Sequence, residues 1–246
     1  MRLGGSLQVV LGNLLDLVCP RSCLGCGGLL EEEEPCFYLC SLCVERIEWV
    51  EFPYCKKCGH PFFGELLACR ECPNCVALKP SFERGRAAFL LSGLGQSFVH
   101  ALKYRGMTGV LKDLPYLLEK TPEYWGFLQN AILVPVPLHR RRRRQRGYNQ
   151  AALIAQVMTA VTEGVEYADL LVRTRSTPTQ TDLPREQRLK NVKNAFALRP
   201  ETVMELDRRY VVIDDVITTG ATLQACCRAL RKAGARDVDV AALGHG

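Results

Sequence analysis

The period of the apolar positions changes several times along the chain, and each change marks an element. Leu3, Leu7, Val10, Leu11, Leu14, Leu15 and Val18 recur at helical spacing with Gln8, Asn13 and Asp16 on the opposite face, which predicts an amphipathic helix over residues 1–20. From residue 86 onward, short apolar runs alternate with helical stretches: 87–91, then helical 95–103, then 132–136, then helical 150–162. That order predicts an α/β fold, a mostly parallel sheet flanked by helices. The best-defined strand is 210–213. A hydroxyl-rich turn follows it, then a helix from about 223 to 232 that Gly234 closes.

The segment between these two patterns is neither strand-like nor helical, and its cysteines explain why. Of 13 cysteines in 246 residues, all but Cys226 and Cys227 fall between Cys19 and Cys75. Cys23, Cys26, Cys40 and Cys43 form two Cys-x-x-Cys knuckles with 13 residues between them. Cys55, Cys58, Cys72 and Cys75 repeat the same spacing. A two-residue gap lets both sulfurs of a tight turn face one ion, and two knuckles complete a closed, tetrahedral and therefore structural zinc site. Glycine after a knuckle, at Gly27 and Gly59, suits the turn because it accepts positive φ without steric cost. Cys19, Cys36, Cys69 and His60 are alternative ligands, a crossed pairing between cassettes uses the same residues, and either one or two Zn²⁺ ions satisfy the pattern. Four thiolates leave no open position for a substrate, which excludes a catalytic zinc. The expected organisation is an N-terminal helix over 1–20, a double zinc-ribbon region over 21–80, and an α/β domain over 81–246.

Charge changes this picture little. The formal net charge is +6, and two tetrathiolate zinc sites would reduce it to roughly +2. Its distribution is more informative: 140–144 are all arginine, Arg146 follows, and 173–193 forms a looser basic stretch. The polar residues of the first helix interrupt any apolar run of membrane-spanning length, and the N-terminus lacks a secretory cleavage pattern. A cytoplasmic protein is expected, in which clustered cysteines hold metal rather than disulfides.

The richest chemistry follows strand 210–213, in the order Asp214, Asp215, Val216, Ile217, Thr218, Thr219, Gly220, Ala221, Thr222. Backbone N–H groups at a helix N-terminus cradle a phosphate, and the three threonine hydroxyls add donors. Gly220 permits close approach. Two carboxylates just before that cradle can accept hydrogen bonds from the vicinal hydroxyls of a sugar whose phosphate sits in the turn. A ribose 5-phosphate fits both halves.

The run 212–222 resembles the signature of type I phosphoribosyltransferases that binds 5-phosphoribosyl 1-pyrophosphate (PRPP). With 134–150, with Thr177, Gln180, Arg188, Asn191, Val192 and Phe196 in the stretch 173–196, and with the paired knuckles, nearly the whole chain resembles the ComF family of competence-associated proteins. The resemblance implies a type I phosphoribosyltransferase-like sheet, with Asp214 and Asp215 holding the ribose and 217–222 anchoring the 5-phosphate. It also implies a pyrophosphate loop that starts at Pro137 and contains His139, Arg140 and Arg146, and a lid over about 173–193 that contributes Arg185, Arg188, Lys190 and Lys193. Mg²⁺ is expected with PRPP. The reaction implied is displacement of pyrophosphate from the anomeric carbon by an acceptor, a pentosyltransferase reaction.

No residue declares itself as the base that activates the acceptor, so the acceptor is not legible. The arginine run reads as a pyrophosphate loop, a nucleic-acid backbone contact or a solvated face. A non-catalytic alternative therefore stands beside the enzyme: a module that senses PRPP and docks single-stranded DNA or a DNA-uptake helicase. The segment 103–106 belongs to the pattern of the resemblance as well, but its residues by themselves read only as a helix ending at a glycine. Cys226 and Cys227 read as packing, and His100 and His245 carry no signal.

Overall fold

The structure is a computed structural model that describes residues 20–62, 70–175 and 194–246. The expected N-terminal helix, Cys19, Cys69 and the lid residues Arg185, Arg188, Lys190 and Lys193 lie outside the described residues.

In the zinc-ribbon region the described helices are α1 (Ser41–Glu45) and α2 (Pro73–Leu78). The larger domain runs β1 (Gly85–Leu90), α3 (Gly93–Tyr104), a 3-10 turn (Thr108–Lys112), α4 (Leu114–Glu119), α5 (Pro122–Leu128), β2 (Ile132–Pro135), α6 (Arg140–Arg146) and α7 (Gln150–Val161). It continues with β3 (Glu166–Tyr167), β4 (Leu171–Arg173), β5 (Phe196–Leu198), β6 (Arg209–Ile217), α8 (Ala221–Lys232) and β7 (Asp237–His245). Five strands form one wholly parallel sheet in the order β1-β7-β6-β2-β3, and β4 and β5 pair antiparallel beside it.

Helices cover both faces, so the central strands bury alternate residues in two different cores. In β6, Val211 and Ile213 join a core with Phe98, Leu133 and Ile154, whereas Tyr210 and Val212 join one with Leu223, Cys226 and Leu230. This is the period of two expected of a strand buried on both sides. Cys226 and Cys227 are fully buried there as apolar packing.

The first ribbon contributes Leu39, Val44 and Ile47 to the first core, while the second has a small core of its own around Cys55, Cys72, Cys75 and Phe62. Both are fastened to the larger domain. The buried carboxylate of Asp113 accepts from the Phe37 and Tyr38 N–H groups at 2.7 and 2.9 Å. The link between ribbons lies antiparallel along β1, with Val50 N–H donating to the Ala88 carbonyl and Leu90 N–H to that of Glu48.

Two sequence expectations need correction. The arginine run is a short helix, α6, rather than a loop. Arginine has high helix propensity, the His139 side chain caps the first turn by accepting from Arg141 N–H, and Gly147 at φ +86° ends the last. Also, β6 continues to Ile217 instead of stopping at 213. Its pairing with β7 runs as far as Ile217 opposite His245, so the acid pair lies within the strand.

Candidate functional site

Each cassette closes on itself. The sulfurs of Cys23, Cys26, Cys40 and Cys43 lie within 4.8 Å of one another, and so do those of Cys55, Cys58, Cys72 and Cys75. The two-residue knuckle and the narrow hairpin beside it, bridged at Ser22–Leu29 and at Tyr54–Pro61, bring these atoms together. Backbone N–H groups point at the sulfurs: Cys40 N–H lies 3.3 Å from Cys23 Sγ and Cys72 N–H 3.2 Å from Cys55 Sγ. Burial alone would raise the Cys23 thiol, but the N–H groups of Cys26, Cys40 and Gly25 outweigh it and lower the pKa to about 6. Four gathered sulfurs with amide support suit a tetrahedral Zn²⁺, and the N-terminal clusters are zinc-binding sites. Among the described cysteines, neither tetrad mixes the two cassettes. Cys36 belongs to neither tetrad; burial first, then the charges of Asp113 and Glu34, push its thiol up to about 12. His60 also stands apart, with its ring 5.0 Å from that of His245.

A second site opens at the carboxyl ends of β2 and β6, where ligands of parallel α/β sheets characteristically bind. It is a cleft of about 920 Å³. The turn 218–222 forms one wall, with Gly220 at φ +70° immediately before the first residue of α8. That left-handed conformation favours glycine, and the N-terminal turn of α8 lies at the cleft. Asp214 and Asp215 lie on the floor. Lys103, Arg105, Arg142, Arg146 and Arg173 come from the other walls.

Lys103 and Asp215 face each other across the cleft. The ammonium donates to Asp215 Oδ1 at 3.1 Å and stands 3.0 Å from Oδ2. Oδ2 is buried and, among the described residues, accepts no hydrogen bond. Burial alone would lower the lysine pKa, but Asp215 and Asp214 overcome that and raise it, so the group stays charged. Asp214 moves the other way from a usual carboxyl. Burial, then the negative charge of Asp215, pushes it up to about 8, with Lys103 opposing. Two carboxylates, one carrying an oxygen without a hydrogen bond, make an oxygen donor set suited to a hard cation such as Mg²⁺.

The structure brings most of the expected cleft residues together. Thr218, Thr219, Gly220, Ala221, Thr222, Asp214, Asp215 and Arg146 all line it. Ile217 does not; it is buried in the core beneath α8. His139 is used as the cap of α6, and Arg140 is exposed outside the cleft. Arg142 takes the inward position instead. Lys103, in the segment 103–106, also lines the cleft, a position that its local sequence does not signal. Tyr148 hydrogen-bonds through its hydroxyl to the Leu102 carbonyl, which ties the end of α3 to the segment after α6 and so fixes where Lys103 starts. His245, which carries no signal in the sequence, is buried behind the turn 218–222, and burial lowers its pKa to about 4.

Comparison with known proteins agrees with this geometry. Residues 144–244 match the family model of the phosphoribosyl transferase domain, and residues 14–76 that of the double zinc ribbon domain. The chain is 33% identical to Competence protein F of Haemophilus influenzae over 224 residues, 89% of this chain and 94% of that protein. It is 29% identical to DNA utilization protein YhgH of Escherichia coli over 206 residues, covering 82% and 88% of the two chains. Competence protein ComFC of Streptococcus pneumoniae is 27% identical over 199 residues, or 75% and 84%.

Proposed function

The chain belongs to the ComF family, and from that premise we propose that it binds PRPP with Mg²⁺ in the cleft and transfers the phosphoribosyl group to an acceptor, releasing pyrophosphate. One observation carries the reading: an acid pair and a phosphate-type turn share a cleft with five cationic side chains, Lys103, Arg105, Arg142, Arg146 and Arg173. Such an excess of positive charge suits a polyanion, and the carboxylates suit the hydroxyls of the sugar that bears it.

In this reading the N–H groups of the turn 218–222 hold the 5-phosphate. Asp214 and Asp215 accept from the ribose hydroxyls and orient the ring. Arg142 and Arg146 are four residues apart on α6, and both reach the cleft. They neutralise the departing pyrophosphate as the anomeric carbon becomes cation-like. Mg²⁺, when bound, supplies further charge neutralisation at the leaving group. The zinc ribbons are structural in this scheme, and the names of the relatives support a role in competence and DNA utilisation.

Calorimetric titration with PRPP and Mg²⁺ tests the binding. Saturable heat should vanish in Asp214→Ala/Asp215→Ala; a zinc-loaded, folded protein that gives no heat refutes the reading. Turnover requires acceptor-dependent release of pyrophosphate that is lost in Asp215→Asn.

A second reading has an observation of its own. Arg140, Arg141, Arg143 and Arg144 are all exposed on α6, facing away from the cleft. This outer face supports a module that senses PRPP without turnover and docks on single-stranded DNA phosphates or a helicase partner. PRPP binding with no pyrophosphate release, together with salt-dependent single-strand binding lost on substitution of the outer arginines, would favour it.

A further inference from the structure

The ion pair between Lys103 and Asp215 spans 112 residues of sequence and lines the cleft. Asp215 has a side chain only 3% exposed, and a carboxylate so buried stays charged only beside a counter-charge. The counter-charge here is not built into the strand that carries it. It reaches across from the last turn of α3 on a flexible four-carbon stem that is itself 25% exposed. An ammonium on such a stem can leave without disturbing the helix, whose end is fixed by the Tyr148 hydroxyl on the Leu102 carbonyl. The cationic groups of Arg105, Arg142, Arg146 and Arg173 line the same cleft, so an anion drawn among them would offer Lys103 a second partner.

We propose that Lys103 is a positioning residue that serves as the resident counter-ion of the acid pair. In the empty cleft its ammonium takes the place beside Asp215 that a divalent cation would otherwise fill. An incoming pyrophosphate-type anion draws the ammonium away and uncovers the carboxylates, so cation and anion enter together. The inference rests on the reading of the cleft as a site for a pyrophosphate-bearing ligand and adds an order of occupancy to it. A divalent cation alone meets a cationic plug. An anion alone takes the lysine and leaves the buried Asp215 carboxylate uncompensated. Each ligand therefore strengthens the other, by the same factor in either direction.

The test uses the zinc-loaded full chain and Mn²⁺ alone, counted as free ion by paramagnetic resonance. Wild type should bind Mn²⁺ weakly. Lys103→Met should bind it at least about tenfold more tightly, with the gain abolished in Lys103→Met/Asp215→Asn. Lys103→Arg keeps the positive charge and should behave as wild type. The thermal midpoint provides a second readout: Mn²⁺ should raise it in Lys103→Met and leave it unchanged in wild type, which also shows that the variant is folded. A folded Lys103→Met with no gain in Mn²⁺ affinity overturns the proposal, as does a gain that survives Asp215→Asn. The two readings fail separately. If wild type binds PRPP but Lys103→Met gains nothing, the counter-ion proposal falls alone. If Lys103→Met gains Mn²⁺ but wild type binds no PRPP, the transferase reading falls and the counter-ion stands.

Discussion

Gly27 and Gly59 occupy the same place in the two cysteine cassettes and share the same φ of +73°, yet replacing them with alanine should have unequal effects. Alanine in the left-handed region costs about 1–2 kcal/mol at either position. At Gly27 nothing among the described residues lies within 4 Å of the added Cβ, so that cost is the whole effect. At Gly59 the Cβ would stand 2.9 Å from the Gly85 carbonyl oxygen and 3.1 Å from the Arg86 Cα. Both belong to β1, a central-domain backbone that cannot rotate aside. Overpacking against such a neighbour adds about 1–3 kcal/mol, for a total of about 2–5 kcal/mol. Ribbon folding is coupled to zinc binding, so the difference should be readable as zinc affinity in a chelator competition on the full chain. Gly27→Ala should weaken one zinc about 5- to 30-fold, and Gly59→Ala should weaken the other roughly 30-fold or more. Equal losses, or a larger loss for Gly27→Ala, would refute the idea that the second ribbon leans on β1.

Three further outcomes are expected. Cys26→Ser and Cys58→Ser should each lower bound zinc from two ions per chain to one, while Cys36→Ser should leave both, as read by metal analysis after gel filtration. Asp113→Ala removes the acceptor of the Phe37 and Tyr38 N–H groups; at about 1–3 kcal/mol for each orphaned group, it should destabilise the first ribbon by about 2–6 kcal/mol and speed amide exchange at those two residues selectively. Arg142→Ala should weaken PRPP at least about tenfold in calorimetry, because charge-assisted contacts to phosphate are strong, whereas Arg144→Ala should change it less than about twofold and reduce only the salt-sensitive binding of single strands.

Chemistry that is contiguous along the chain was legible, and chemistry that the fold assembles was not. The turn 218–222 and the acid pair sit within nine residues at one strand end, so local geometry alone gathers them, and the double-ribbon spacing works in the same way. Spacing alone leaves open which cassette sulfurs pair because it is symmetric to exchange; the hairpin of each ribbon, which gathers its own four sulfurs, decides it. The arginine run shows a different limit. Family resemblance implies a loop, but local propensity and the His139 cap make a helix, and only a helix divides the run into inward Arg142 and Arg146 and an outward set.

Lys103 marks the boundary of what periodicity can say. Its local signal is a helix end before Gly106, and the nearest acidic residue in sequence, Asp113, is ten positions away and engaged by the Phe37 and Tyr38 N–H groups. Its meaning appears only when β7 inserts between β1 and β6. That crossover brings the helix following the edge strand over the cleft at the carboxyl end of β6, where a lysine meets the acids 112 residues later in sequence. A buried aspartate within a strand therefore poses a question the sequence can raise but not answer, namely which distant cation keeps it charged. Here the answer is a side chain long enough to be displaced. The same topology that stabilises the acid pair in the empty protein thus leaves it open to exchange of its counter-ion, which a rigid arginine clamp from a neighbouring strand would not.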